Sequence, residues 1–405
     1  MELMKKVYLF LVTLVFFISC ESDKLTSKIK AKPINNVRLK TLSTKKEKIL
    51  KDFRFNDFAA FISGYEGSTK SHLKDIEDTE IWKSFQSDIN DLWKKTNKKL
   101  PVISEWRDKE LNNVDEDSGT LFYPFSGADF LHADLFFPSH DSIVLIGLEP
   151  AGNFPDLLQK YQKKELEPYL VKLKKSMNAI LGLSFFRTIA MADDFQTELD
   201  GTFHVLMHFI RRTGHEVLNY EKVAILPSGK LTTDLNKIED SSYIGNRYYF
   251  KKNKEDKIKV LTYFSANLQN TAYTSRGGLY AQGLNTRLDL KSYINGLNIN
   301  ATYLKSASYL LHSASFSTIR NIILSKSKNI LQDDSGIPIK YFETEKWDLV
   351  FYGNYIKPIT LFNERHQPAL ADIYKNKLKK VKNLPFGIGY QFVKGTSNLI
   401  KAKKR

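Results

Sequence analysis

Ser126, Asp129 and His132 lie three residues apart in the stretch from Tyr123 to His132, Tyr-Pro-Phe-Ser-Gly-Ala-Asp-Phe-Leu-His. They are the residue types of a hydrolytic nucleophile and its helpers. On a helix begun at Ser126, however, Asp129 sits one turn up and its carboxylate turns back to the Ser126 amide, as in a capping box. Phe125 and Phe130 then take the two positions of a hydrophobic staple. The spacing predicts a helix cap in preference to a nucleophile. It leaves room for a ligand, because a helix start after a parallel strand is a natural anion site. Glu149 closes the apolar run Ile143 to Leu148, where open α/β sheets place their ligands. Tyr123, Ser126, Asp129 and Glu149 are therefore the candidate ligand-binding residues.

Other clusters read more plainly. His204 and His208 have metal-ligand spacing on an apolar helix, but no His-Glu-x-x-His motif and no cysteine accompanies them. The expectation is two buried, hydrogen-bonded histidines and no metal. Asp333-Asp334-Ser335-Gly336 has the composition of a tight turn. Leu384 to Tyr390 carries two glycines, Gly387 and Gly389, yet lacks the third glycine and the preceding strand of a dinucleotide fingerprint. No Gly-x-Ser-x-Gly elbow or phosphate-binding P-loop occurs, and no cofactor is expected.

The elements that must position these residues make a mixed α/β body. Residues 52–112 read as a helical N-terminal part, with Phe53, Phe55, Phe58 and Phe61, then Ile81, Phe85, Ile89, Leu92 and Trp93, at helical spacings. Trp82, Trp93 and Trp106 are assigned to packing. A strand at Leu121–Phe125, a helix from Ser126 and a strand at Ile143–Leu148 form a βαβ unit over 120–150. Helices are expected over Leu157–Leu181 and Thr202–Arg212. Strands follow at Val223–Leu226, Tyr248–Phe250 and Ile258–Phe264, the last two forming an antiparallel hairpin within 244–264. Gly277, Gly278 and Gly283 mark a mobile loop. Helices are expected at Leu290–Leu297, Thr302–Leu311 and Ser317–Leu331, and late strands at Trp347–Tyr352 and Ile359–Phe362.

With 405 residues, 42% hydrophobic and 26% charged, the chain has enough apolar content for a large core and too little for a multi-span membrane protein. The formal charge is +16, but it is concentrated at the ends. Lys24 to Lys51 holds 10 basic residues and one acid, and Lys375 to Arg405 holds 10 basic residues and none. Between them, 39 basic residues face 41 acidic ones. A near-neutral body, in a chain with 49 Lys against 12 Arg, argues against nucleic acid, and the basic ends suit solubility or contact with anionic lipid.

The amino terminus has Lys5 and Lys6, then the uncharged run Val7 to Ile18, then Ser19 and Cys20, the chain's one cysteine. That run is too short to span a bilayer and has the length of a signal-peptide core. Phe17-Ile18-Ser19-Cys20 resembles the lipobox of bacterial lipoproteins, with Phe17 where that class usually has Leu. The resemblance implies a signal peptide over 1–19, cleavage before Cys20, fatty acylation of Cys20 and a membrane-anchored location at the cell envelope. Residues 20–51 then form a basic flexible tether, 52–374 the α/β body and 375–405 a basic C-terminal segment. The Tyr123–Phe130 and Gln332–Pro338 phrases resemble an uncharacterised group of bacterial proteins, which implies no activity. The leading expectation is an envelope lipoprotein that binds a ligand or partner. An envelope hydrolase acting on a glycan, peptide or ester near Ser126 and Glu149 is the alternative, and a structural or assembly lipoprotein the third reading.

Overall fold

The computed structural model describes residues 51–114, 119–183, 199–238, 242–252, 255, 257–273, 288–376 and 381–405. Cys20, the tether and Gly277, Gly278 and Gly283 lie outside the described residues. The unit from Ile49 to Arg405 holds every element described below.

The helical N-terminal part comprises α1 (Phe53–Ile62), α2 (Lys74–Glu77), α3 (Glu80–Asn97) and α4 (Leu100–Glu110). Asp52 caps α1 and Thr79 caps α3, each accepting a backbone N–H of the first turn. Phe55, Phe58, Phe61, Phe85 and Ile89 are buried, as are Trp82, Trp93 and Trp106, whereas Phe53 and Ile81 at the helix starts are exposed. Trp106 meets the rings of Phe136, Tyr352 and Phe386 edge-on, at 6.1, 5.0 and 5.4 Å. The packing assignment for the tryptophans holds.

Next come β1 (Thr120–Pro124), α5 (Phe130–Phe136) and β2 (Ser142–Gly147), a parallel βαβ unit with Leu121 opposite Ile143 and Tyr123 opposite Leu145. The expected helix over 157–181 is two, α6 (Leu157–Gln162) and α7 (Leu166–Leu183). They are broken at Lys164, whose φ is +59°. After α8 (Phe203–Arg212), β3 (His215–Ile225), β4 (Leu231–Thr232), β5 (Ile244–Lys252) and β6 (Lys259–Ser265) follow. The β5–β6 pair is the expected antiparallel hairpin.

The chain then crosses back. Beyond α9 (Leu288–Gly296), β7 (Ile299–Leu304) pairs with the free side of β1, and after α10 (Ser317–Lys326), β8 (Asn329–Gln332) pairs with β7. The helix expected at 302–311 is thus the end of β7 followed by a 3₁₀ turn, and the one expected at 317–331 stops at Lys326. The β-branched content of Ile299–Thr302 outweighs the helical spacing. After β9 (Trp347–Gly353), the expected strand at 359–362 is a 3₁₀ segment over Thr360–Arg365. Then come α11 (Pro368–Lys375), β10 (Val381–Lys382) and β11 (Asn398–Lys404).

All the strands share one sheet in the order β10-β9-β11-β8-β7-β1-β2-β6-β5-β3-β4. β8, β7, β1, β2 and β6 are mutually parallel neighbours at its centre. The basic C-terminal segment is no solvated tail: β11 lies between β8 and β9, antiparallel to both. Leu399, Ile400 and Ala402 are buried there. Along the strand Lys401 and Lys403 alternate with Ile400 and Ala402, so a high charge count conceals a short period of two.

Candidate functional site

β1 is followed in space by β2 on one side and by β7 on the other, so the strand order reverses at β1. The crevice beyond the carboxyl ends of β1 and β7 is the topological switch point of the parallel sheet, the usual ligand position in such folds. The chain fills it with its own charges.

β1 ends at Pro124, and Phe125 turns the chain with φ +59°. Asp129 caps α5, accepting the His132 backbone N–H at 3.3 Å. The helix thus begins at Phe130 and not at Ser126, which corrects the expected capping box and staple. The positive φ at Phe125 and at Gly127, +55°, takes three residues out of helical geometry and moves the cap to Asp129. Ser126 Oγ instead turns its one proton to two backbone carbonyls, Gly127 O at 2.9 Å and Ile146 O at 3.3 Å.

Asp129 is the hub. Its Oδ1 lies 2.8 Å from His132 Nδ1, while its Oδ2 accepts Tyr123 Oη at 2.9 Å and Lys305 Nζ at 2.7 Å. Lys305 directly follows β7, and its Nζ is 3.2 Å from His132 Nδ1. Burial alone would raise the Asp129 pKa, but His132 and Lys305 outweigh it and hold the carboxyl well below its usual range. Burial lowers the His132 pKa, with Asp129 opposing and Lys305 reinforcing the shift. Where a doubly wound sheet offers a phosphate the start of a helix, this chain supplies the Asp129 carboxylate.

A second buried cluster lies one strand further along. Asp333 and Asp334 follow β8, and both are about 5% exposed. The expected turn is present, with Gly336 N donating to Asp333 O at 3.1 Å, but its carboxylates point inward. Asp333 accepts from Ser335 N and Oγ and from Ser306 N, and Asp334 accepts from Tyr309 Oη and from Asn398 Nδ2. No lysine or arginine pairs with either acid among the described residues. Burial, reinforced by the charge of Asp334, pushes Asp333 up to about 7, and burial also raises Asp334. Gly389, at φ +66°, is required here, because a Cβ would collide with Asp333 Oδ2.

Glu149 is not part of either cluster. It lies on the β2 side of β1, buried against Tyr263 of β6, whose Oη donates to the Glu149 backbone O at 2.8 Å. A Cβ on Gly147 would come within 2.6 Å of Glu149 Oε2 and 3.0 Å of Gly127 Cα, so glycine permits the β1 loop to approach β2. The structure thus brings Tyr123 and Asp129 together and leaves Ser126 and Glu149 apart from them. His204 and His208 are buried on α8 with separate partners: His204 bonds Tyr169 Oη and Leu199 O, and His208 bonds Ile62 O. Burial depresses them to about 4 and about 3. Among the described residues no group of three or more His, Cys, Asp or Glu is placed to hold a metal ion.

A cavity of about 570 Å³ opens beside the Asp129 hub. Asp129 and His132 line its polar wall. Apolar walls come from α3 and α4 (Leu92, Leu100, Ile103), Phe209 of α8, and Phe386 and Phe392 of the β10–β11 connection. Lys95, Lys98, Lys99 and Lys394 contribute to the lining and are exposed. None of the four forms an ion pair with another described residue. The size is that of a small-molecule site. Sequence spacing does not reveal it, because its lining comes from segments nearly 300 residues apart. The lysine run Lys94 to Lys99 beside Leu92 and Leu100 was the one local sign. Among the described residues no helix is long and apolar enough to cross a membrane. Comparison of the chain with protein families, with curated proteins and with solved structures finds no match.

Proposed function

We propose that this chain is a lipid-anchored protein of the cell envelope, held through acylated Cys20, that binds an amphipathic anion in the cavity beside Asp129 and His132. The observation that carries the ligand class is the cavity's composition: about 570 Å³ with apolar walls, lined also by exposed lysines that form no ion pair among the described residues. Such a lining favours an acyl chain bearing a carboxylate or phosphate. A hydrocarbon chain gains about 0.8 kcal/mol per methylene buried, and the lysines add a salt-dependent attraction. The anchor rests on the lipobox resemblance at Phe17 to Cys20.

The test uses residues 20–405 carrying Cys20→Ser, titrated by calorimetry with dodecanoate, dodecyl phosphate and dodecanol. The two anions are expected to bind one per chain and at least tenfold more tightly than the alcohol. Val102→Trp, which narrows the cavity from a 40% exposed position, is expected to weaken binding at least tenfold without loss of fold. Equal affinity for dodecanol, or undiminished binding by Val102→Trp, overturns the reading. Labelling cells with an alkyne fatty acid tests the anchor separately: label equal in wild type and Cys20→Ser refutes it.

One observation favours a second reading. His132 faces the cavity with Asp129 bonded behind its ring, an arrangement that lets a histidine take a proton from water. An ester hydrolase working this way would use His132 and not Ser126, whose hydroxyl is committed to backbone carbonyls. Turnover of an acyl ester that disappears in His132→Gln, with the fold intact, would move the chain from binder to enzyme.

A further inference from the structure

The mouth of the cavity adjoins a second surface feature. Two loops meet there, Gly353–Pro358 after β9 and Gln391–Ser397 before β11. They are tied by Asn354 N donating to Ser397 O at 2.9 Å, Gln391 Nε2 to Lys357 O at 3.1 Å and Asn354 Nδ2 to Gly395 O at 3.4 Å. Their tips present Ile356, Phe392 and Val393, which are 70%, 45% and 57% exposed. Three large apolar side chains on adjoining, backbone-pinned loops form a patch and not scattered surface residues. Lys357 and Lys394 flank them, both exposed and outside any ion pair among the described residues. Phe392 and Lys394 also line the cavity, so the patch runs into the mouth where Lys95, Lys98 and Lys99 stand. The one carboxylate in that lining, Asp129, is 4% exposed.

We propose that this face docks on an anionic lipid surface, with Ile356, Phe392 and Val393 entering the interface and the five lysines meeting headgroups. Apolar tips ringed by lysines fit a layer that is apolar below and negative above. A protein partner would have to supply both an apolar socket and a surrounding ring of acids. A bilayer supplies both without specific shape, and an apolar cavity opening onto it could take its ligand directly from the membrane. The docking surface takes Phe392, Val393 and Lys394 from the basic C-terminal segment, just before β11, and none of its residues from the tether over 20–51. The proposal deepens the amphipathic-anion reading by naming the source of the ligand.

The test separates the two. Residues 20–405 carrying Cys20→Ser, with Val393→Trp as reporter, are mixed with vesicles of phosphatidylcholine containing 30% phosphatidylglycerol. The expected result is a blue-shifted reporter, quenched by phosphatidylcholine brominated on its acyl chains, and released by raised salt. Ile356→Ser with Val393→Ser, neither of which lines the cavity, is expected to lower vesicle partitioning at least tenfold while dodecanoate affinity stays within twofold. Lys98→Glu with Lys99→Glu is expected to remove the preference for phosphatidylglycerol. If the basic tether alone binds vesicles, partitioning persists but the reporter is neither shifted nor quenched, and the docking proposal falls while the cavity reading stands. Partitioning unchanged in Ile356→Ser/Val393→Ser also overturns it. Melting temperatures of the loop variants, close to wild type, exclude misfolding as the cause.

Discussion

Two acidic clusters lie at the carboxyl edge of the same parallel sheet, and their protons behave in opposite ways. Asp129, at the end of β1, has Lys305 and His132 within 2.8 Å and is held ionised. Asp333 and Asp334, at the end of β8, have comparable burial and only neutral donors, and their carboxyls are pushed up. Burial penalises both clusters; what differs is whether a cation offsets it. The difference separates a fixed charge from a titratable one. Asp129 with Lys305 is a permanent dipole across the switch point, facing the cavity through His132. The β8 pair is a proton-holding wedge between β8, β11 and the Leu384–Tyr390 segment.

The comparison breaks most sharply if Lys305 is removed. Lys305→Met leaves Asp129 buried with only His132 and Tyr123, and breaking one partner of such a pair costs about 3–5 kcal/mol. Adding Asp129→Asn removes the orphaned charge, so the double variant is expected to recover much of the loss. Chemical denaturation of the wild type, Lys305→Met and the double variant measures both steps. A Lys305→Met protein as stable as wild type would mean the pair is solvated and the switch point is open.

A pH titration addresses the second cluster. Asp333 sits near 7 in the folded protein and at 3.8 in its unperturbed state, so between these values the folded chain holds more protons than the unfolded one. Its contribution is therefore fully present below the unfolded value and is lost as pH rises through about 7. Asp333→Asn cannot lose a proton. The melting temperature of the variant relative to wild type is expected to climb from pH 5 to pH 9, whatever the offset at pH 5 from the bonds to Ser335 and Ser306. A pH-independent difference would show that Asp333 is ionised throughout.

Both clusters arise from phrases that stand out in the sequence, Tyr123 to His132 and Gln332 to Pro338, and both were legible as local structure. The spacing makes Asp129 the capping-box partner of Ser126, whereas Asp129 is itself the cap; the turn at Asp333-Asp334 is present as the sequence predicts. Long range is where the reading stopped. Asp129 caps as an acid should, but its charge partner arrives 176 residues later at the end of β7, in a stretch whose helical spacing concealed a strand. Tight turns are usually solvated, and nothing local to Asp333-Asp334 announces that Asn398 and Tyr309 will cover them. The basic C-terminal segment misleads for the same reason: counting lysines from 375 onward hides that Ile400 and Ala402 alternate with Lys401 and Lys403 in a buried strand. The βαβ unit, the β5–β6 hairpin and the helical N-terminal part are legible because each carries its own hydrophobic period or turn, even where, as for Trp106 against Tyr352 and Phe386, its packing partners are distant in sequence.

The smallest expected effect sharpens the boundary of the Asp129 cluster. If Ser126 were the cap of α5, Ser126→Ala would remove an acceptor, and Asp at that place would restore it. In the structure Ser126 is a donor: its hydroxyl reaches the Ile146 carbonyl at the end of β2 and the Gly127 carbonyl beside it, and the residue is 3% exposed. Removing one such bond costs about 1 kcal/mol, so Ser126→Ala is expected to lower the melting temperature slightly. Ser126→Asp is expected to do worse than Ala, because a carboxylate cannot donate to either carbonyl and would add a buried charge close to Asp129. Thermal melts of the three proteins at pH 7 decide it. Recovery by Asp would return the cap to Ser126 and detach Asp129 from the start of the helix. The hub that joins β1, α5 and β7 would then lose its anchor in the backbone.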